Sequence, residues 1–287
     1  MNAVDAGHSS LARFGSKGGA LWDRHAAQWH LIGAPLRPVR EDVEVVQREV
    51  DRLARVHARL RALLLGVTVE LASLQWPSDA SLLAVDASEA MVREHWQPPA
   101  GIHSLALRGK WQNLPVVRGE FHLVMADGSF CAMTDLLSIR QALQGVAEAL
   151  HREGRLVLRS FARPEVPEPP ERVLDDLRAG RIGSMHAAKW RLAMALHGAL
   201  AFGVQLDSVW RAFRKAEPDS DSLARRTGWS VAAIDTIEAY RGVQSRYFFP
   251  TLPELRDLVS LWFVEVSCHV PTYELGERCP TLVLAPR

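Results

Sequence analysis

"RALLLGVTVELASL", Arg61 to Leu74, is the stretch that decides the fold. An unbroken apolar run, Ala62 to Leu65, stops at Gly66, and a helix-like segment over 68–75 follows. A short apolar run bounded by glycine is what a strand covered on both faces of a parallel sheet requires. Glycine at the turn lets backbone approach a ligand, and the helix start behind it offers unpaired N–H groups. A plain strand-to-helix turn uses the same residues, so this stretch alone leaves both readings open.

The same form recurs downstream. "SLLAVD" (81–86), "IHSLALRG" (102–109), "FHLVMADG" (121–128) and "GRLVLRSF" (154–161) read as four more strands. Helices over 88–96 and 134–151 separate several of them, the second with a stripe of Leu136, Ile139, Leu143, Val146 and Leu150. Strands alternating with helices predict an α/β, doubly wound, Rossmann-like sheet. "PTLPELRDLVSL" adds a late helix, and "WFVEVSCHV" and "PTLVLAPR" add two strands. The linking "PTYELGERC" is too short for a crossover helix, so this last pair is expected to be antiparallel.

Upstream, "ALWDRHAAQWHLIG" predicts a helix with Trp22, Ala26 and Trp29 on one face, broken by Pro35 and Pro38. Val39, Val43, Val46 and Val50 mark a second helix. After Phe161 the proline-rich "ARPEVPEPPERV" leads into 171–245, which is helical in character and expected to pack over one edge of the sheet. The expected organisation is an N-terminal helical segment (1–60), an α/β unit (61–163 and 247–287) and a helical lid insertion (164–246).

The 287 residues, 48% apolar, suffice for a sizeable core. Net charge is +1, from 34 Lys+Arg against 33 Asp+Glu, which argues against a nucleic-acid partner. Cys131, Cys268 and Cys279 form neither a disulfide framework nor a metal motif, and no His/Cys/Asp cluster has metal-ligand spacing, so no metal is expected. The first twenty residues lack the apolar core of a signal peptide, and no run of about 18 apolar residues suggests a membrane span. A cytoplasmic location is the expectation. The oligomeric state is left open, with a homodimer as one option.

Ligands of open parallel sheets bind outside the carboxyl ends of the strands, where strand order reverses. After the first strand stands Gly66-Val67-Thr68-Val69-Glu70. After the second stands Asp86, twenty residues on, an acid able to accept both hydroxyls of a ribose or to cap the next helix alongside Ser88. After the third stands Gly109-Lys110-Trp111, whose indole is able to cover an aromatic base or to anchor at the surface. After the fourth stands Asp127-Gly128-Ser129, facing the cleft or forming an ordinary Asp-Gly turn. The ordered series says more than any member.

Over 60–163 and 247–287 these residues resemble a class I S-adenosylmethionine-dependent methyltransferase. "LLLGVTVEL" stands where that family's glycine-rich first motif stands, and is similar to a GVTxEL form of the loop in some bacterial methyltransferase-like proteins. "LLAVDASEAMV", "GKWQNLP" and "FHLVMADGSF" resemble the next three motifs. The resemblance implies a seven-stranded sheet with an antiparallel last strand and S-adenosyl-L-methionine as cofactor. It implies roles by position. Gly66, Val67, Thr68 and Glu70 would surround the methionine part, and Asp86 would bind the ribose. Ala87 and Met91 would flank the adenine, with Lys110 and Trp111 along its edge. Asp127, Gly128 and Ser129 would line the methyl end. The chain departs from the family where Leu64 replaces an acid and Thr68 and Glu70 replace glycines. Glu70 is the expected substitute for the missing acid toward the cofactor's ammonium.

The expected acceptor is a small organic molecule held under the helices, with Trp22, His25, Trp29, Tyr240, Arg241, Arg246 and Tyr247 as candidates. The alternatives for these residues are core packing for the tryptophans and surface pairing for the arginines. No catalytic base is named, because an activated sulfonium needs mainly positioning. A methyltransferase-like regulator that binds cofactor without transferring methyl is the second reading. A nicotinamide oxidoreductase is disfavoured, since GxGxxG would fall on Gly66, Thr68 and Leu71.

Overall fold

The computed structural model describes residues 19–287. A seven-stranded sheet is built from β1 Arg61–Leu65, β2 Ser81–Asp86, β3 His103–Arg108, β4 Phe121–Asp127, β5 Leu150–Arg159, β6 Phe263–His269 and β7 Thr281–Pro286. Its order is β3-β2-β1-β4-β5-β7-β6. The first five strands are parallel, and β7 runs antiparallel to both β5 and β6. The doubly wound sheet and its antiparallel ending are as expected. Strand order reverses between β1 and β4, which opens a crevice at their carboxyl ends.

Helices cover both faces of the central strands, which is why β1 and β4 read as continuous apolar runs, while β3 and β6 at the two edges are largely exposed. Ala62, Leu64, Leu123 and Met125 face α2 (Arg40–Ala54), packing with Val46, Val50 and Leu53. Leu63, Leu65, Val124 and Ala126 face the other way, toward α5 (Leu136–Ala149) and α11 (Leu252–Val259). Neighbours along each strand thus feed opposite cores. Burying each such leucine contributes roughly 1.5–3 kcal/mol.

Several boundaries differ from expectation. The helix after Gly66 is a single turn, α3 (Val69–Ala72), rather than 68–75. The Trp76 indole N–H donates to the Ala72 carbonyl, so the chain has left the helix where a next turn would begin. The first helix, α1, spans Gly19–Ala27, and Trp29 lies in a separate 3-10 turn, Trp29–Leu31. The helix after β2, α4 (Glu89–His95), starts with both expected devices: Asp86 accepts the Ser88 N–H at 2.8 Å, and the Ser88 hydroxyl accepts the Met91 N–H at 3.2 Å.

The region after Phe161 folds as α6 (Pro170–Arg178), α7 (Met185–Ala195), α8 (Leu206–Ala216), α9 (Ser220–Thr227) and α10 (Val231–Asp235). Its core joins Trp190, Phe213 and Tyr240 to Leu21 of α1, Cys131 after β4 and Phe161 after β5. The insertion therefore sits over the carboxyl ends of the central strands, not along a lateral edge. Among the described residues no helix is long and apolar enough to cross a membrane.

Candidate functional site

A cavity opens where β1, β2 and β4 end, closed from above by α1, the Trp29 turn and the insertion. Gly66, Val67 and Thr68 form one wall. Gly66 has φ +111°, a conformation that side chains disfavour, and a Cβ built there would fall 3.8 Å from Asp86 Oδ2. The turn thus keeps a space open beside the carboxylate. Asp86 and Met91 form the next wall, with Trp111, whose indole N–H is held by the Val85 carbonyl at 2.6 Å. Burial pushes the Asp86 carboxyl above its usual range, while the N–H groups of Ser88 and Ala87 pull it back.

Asp127, Gly128 and Ser129 form the floor, and the Ser129 hydroxyl donates to the Leu65 carbonyl at 2.9 Å. Gly128 has φ +61°, and a Cβ there would meet Phe161 Cε2 at 2.5 Å. Gly128→Ala is therefore expected to lower stability by about 1–3 kcal/mol, from both the left-handed backbone and the overpacking. The midpoint of urea denaturation reads this.

Beneath the floor lies a buried charge network. Arg159 Nη1 contacts Asp127 Oδ1 at 2.6 Å, Arg159 Nε lies 3.3 Å from Asp42 Oδ2, and Arg159 Nη2 donates to the Tyr273 hydroxyl at 3.0 Å. Arg159 is 4% exposed. Burial works against its charge, but Asp127 and Asp42 outweigh burial and hold it protonated. Burial raises Asp127, and Arg159 pulls it back. Asp86 and Asp127 are the two carboxylates among the cavity's lining residues, and Asp127 is already paired with Arg159.

The upper wall is aromatic: Trp22, His25, Trp29, Tyr240 and Tyr247, joined by Trp190. The Tyr247 hydroxyl lies 3.5 Å from His25 Nε2. Behind Tyr240 is Lys189, fully buried, its ammonium 5.3 Å from the Tyr240 ring centre. Its ammonium donates to the Thr236 hydroxyl at 3.4 Å, no carboxylate pairs with it among the described residues, and burial lowers its pKa to about 7. Burial, then Lys189 and Arg24, push His25 down to about 3; burial and Lys189 push His186 down to about 4.

Both histidines are thus neutral at pH 7. Unfolding returns their affinity for protons, so this part of the stability is complete above about pH 6.5 and is lost as pH falls toward about 4, at roughly 1.4 kcal/mol per pH unit per group. The raised Asp86 and Asp127 act in the opposite sense, adding stability as pH falls through their raised range toward the ordinary carboxylate value of 3.8. Imidazole proton NMR should show His186 titrating near pH 4; an ordinary midpoint near 6.5 would refute its buried placement.

Not every sequence candidate reaches the cavity. Glu70, expected to meet an ammonium, instead pairs with Arg37 at 2.5 Å from α3, and Arg37 also lies over the Trp29 ring. Ala87 and Lys110 are exposed, Lys110 facing Asn113 in a small bridge. Arg241 stacks over Trp210, and Arg246 donates to the Phe202 carbonyl. None of these five lines the cavity. Conversely Ile32, Leu36, Cys131, Phe161 and Trp190 line it without having been singled out. Phe161 follows β5 and falls under the strand-end rule; Trp190 sits inside α7, which is buried on most sides and carries no stripe to mark it.

One group of potential ligand side chains lies away from the cavity. His57, His122 and His151 come together at the opposite ends of the strands, with ligand nitrogens within 4.8 Å of one another. They lie too far apart in sequence for any spacing motif to reveal them.

No family model matches the chain, and no curated protein matches it. Among solved structures it is similar to 1,6-didemethyltoxoflavin-N1-methyltransferase from Burkholderia thailandensis, with bound 1,6-didemethyltoxoflavin and S-adenosylhomocysteine. That match has a TM-score of 0.52 at 14% identity, covering 99% of this chain and 93% of that one. A Rhodobacter sphaeroides chain, provisionally described as a Zn-dependent alcohol dehydrogenase, gives a TM-score of 0.58 at 12% identity, over 96% of this chain and all of that one. The shared feature is the fold: a Rossmann-like seven-stranded sheet with an antiparallel last strand.

Proposed function

We propose that the chain is an S-adenosylmethionine-dependent methyltransferase that acts on a small organic molecule. The observation that carries this is the meeting of Gly66, Asp86 and Asp127 in one cavity at the strand-order switch, under an aromatic cover. The residues fit the cofactor. Asp86 would take the ribose hydroxyls, Met91 and Trp111 the adenine, and backbone around Gly66 to Thr68 the methionine part. With Leu64 buried in β1 and Glu70 on Arg37, Asp127 is the carboxylate left near the methionine end. The occurrence of a methyltransferase bound to S-adenosylhomocysteine among the fold neighbours supports this reading.

Bound there, the cofactor would supply an activated methyl on a positive sulfur. The protein's task is then to aim the acceptor atom and exclude water. Trp22, Trp29, Trp190, Tyr240 and Tyr247 suit a flat organic acceptor, and neutral His25 suits orienting its polar group by hydrogen bonding. The free volume, about 100 Å³, falls short of the roughly 300–1,000 Å³ usual for ligand pockets. Admission of both ligands therefore requires α1 and the Trp29 turn to move aside. In this reading 61–163 and 247–287 bind the cofactor, while α1, the Trp29 turn and 164–246 form the cover.

Transfer of a labelled methyl from the cofactor to a panel of hydroxylated and amino-substituted aromatics tests the proposal. Turnover on one of them is expected. Labelling of tRNA or DNA alone would contradict the small-molecule assignment. The Glu70–Arg37 pair, which removes the loop's own acid, favours a second reading: a binding protein without transfer. Tight cofactor binding without turnover on the whole panel would support it.

A further inference from the structure

The structure assigns a second ligand site to the amino ends of the strands: we propose that His57, His122 and His151 bind a divalent transition metal, with zinc as the reference ion. His57 lies just beyond α2, and His122 and His151 are the second residues of β4 and β5. One ligand nitrogen from each falls within 4.8 Å of the others. The ring centres of His57 and His122 are 4.0 Å apart, and His151 lies 5.6 and 5.4 Å from them. All three rings are partly buried, and His57 Nε2 is buried with no hydrogen-bond partner among the described residues. A buried nitrogen without a partner, beside two other imidazoles, has a lone pair free to take a cation.

The chemistry suits zinc, cobalt, nickel or copper rather than magnesium or calcium, because imidazole nitrogens select those metals. Three protein nitrogens leave a fourth position for water. Metal binds the neutral imidazoles, so loading competes with protons for the same nitrogens. Zn–N bonds of about 2.0–2.1 Å put ligand atoms roughly 3.4 Å apart, so loading draws the rings together and unstacks His57 from His122. It also exchanges two long hydrogen bonds. The Arg61 N–H now donates to His122 Nδ1 at 3.1 Å, and the Glu153 N–H to His151 Nδ1 at 3.2 Å. Nearby Arg52 and Arg61 oppose a cation, and Glu153 offsets them.

This site is remote from the cavity. His122 is five residues of β4 from Asp127, roughly 16 Å at about 3.3 Å per residue. A metal here would tie the end of α2 to the starts of β4 and β5, and so stabilise the sheet rather than take part in chemistry at its other end.

The test is equilibrium dialysis of untagged, chelator-stripped protein against zinc near neutral pH. One zinc per chain is expected, with a rise in Tm of several degrees once zinc exceeds Kd a hundredfold. Cobalt should give the absorption of a tetrahedral site. His57→Gln and His151→Gln, each checked for folding by a metal-free melt, should weaken zinc at least tenfold. His103→Gln, at an exposed histidine outside the cluster, should leave affinity unchanged. No binding, or equal binding by the wild type and both cluster variants (an adventitious ion only), would overturn the proposal. Neither result bears on the cofactor reading.

Discussion

Replacing Asp86 by alanine is expected to weaken S-adenosylhomocysteine binding by about a hundredfold or more. A carboxylate holding two hydroxyls makes two charge-assisted hydrogen bonds, each worth about 1.5–3 kcal/mol. Losing both costs at least about 3 kcal/mol, and every 1.4 kcal/mol is about tenfold in Kd. The fold should survive, because Ser88 keeps the Met91 N–H and so still caps α4. Titration calorimetry on the wild type and Asp86→Ala reads the difference. Equal affinities would remove Asp86 from the ribose and leave the acid as a turn residue that accepts the Ser88 N–H.

Arg159→Met is expected to have the largest effect on stability. Arg159 is the cation between Asp127 and Asp42, which the structure buries at 6% and 2% side-chain exposure. Removing one partner of a buried ion pair costs about 3–5 kcal/mol, because the remaining charge is left uncompensated. Here two carboxylates are left. Adding Asp127→Asn to Arg159→Met should restore part of the loss, since one stranded charge disappears. Urea denaturation of the single and double variants measures both values. A loss below about 1 kcal/mol in the single variant would mean that water reaches the network.

The legible part of the site was the part fixed by strand ends. Each apolar run in the parallel sheet stops at the crevice, so Gly66, Asp86 and Asp127 could be placed by counting along the chain. The antiparallel ending was legible for a similar reason, since 270–280 is too short to carry a crossover. Side-chain direction was not legible. Arg246 and Tyr247 are neighbours in a two-residue strand, and period-two alternation sends Tyr247 inward and Arg246 out. Glu70 shares a loop with Gly66, but its partner Arg37 comes from a distant segment. The Asp42–Arg159–Asp127 network joins α2, β5 and β4, and no local pattern announces it. The same holds for the three histidines, which only the sheet order brings side by side.

The most direct test of the central claim is a crystal structure of the protein with S-adenosylhomocysteine. The ribose hydroxyls should lie on Asp86, the adenine between Met91 and Trp111, and the amino acid end over Gly66 and Asp127. An empty crevice at millimolar ligand, or density placed away from Asp86 and Gly66, would contradict the account.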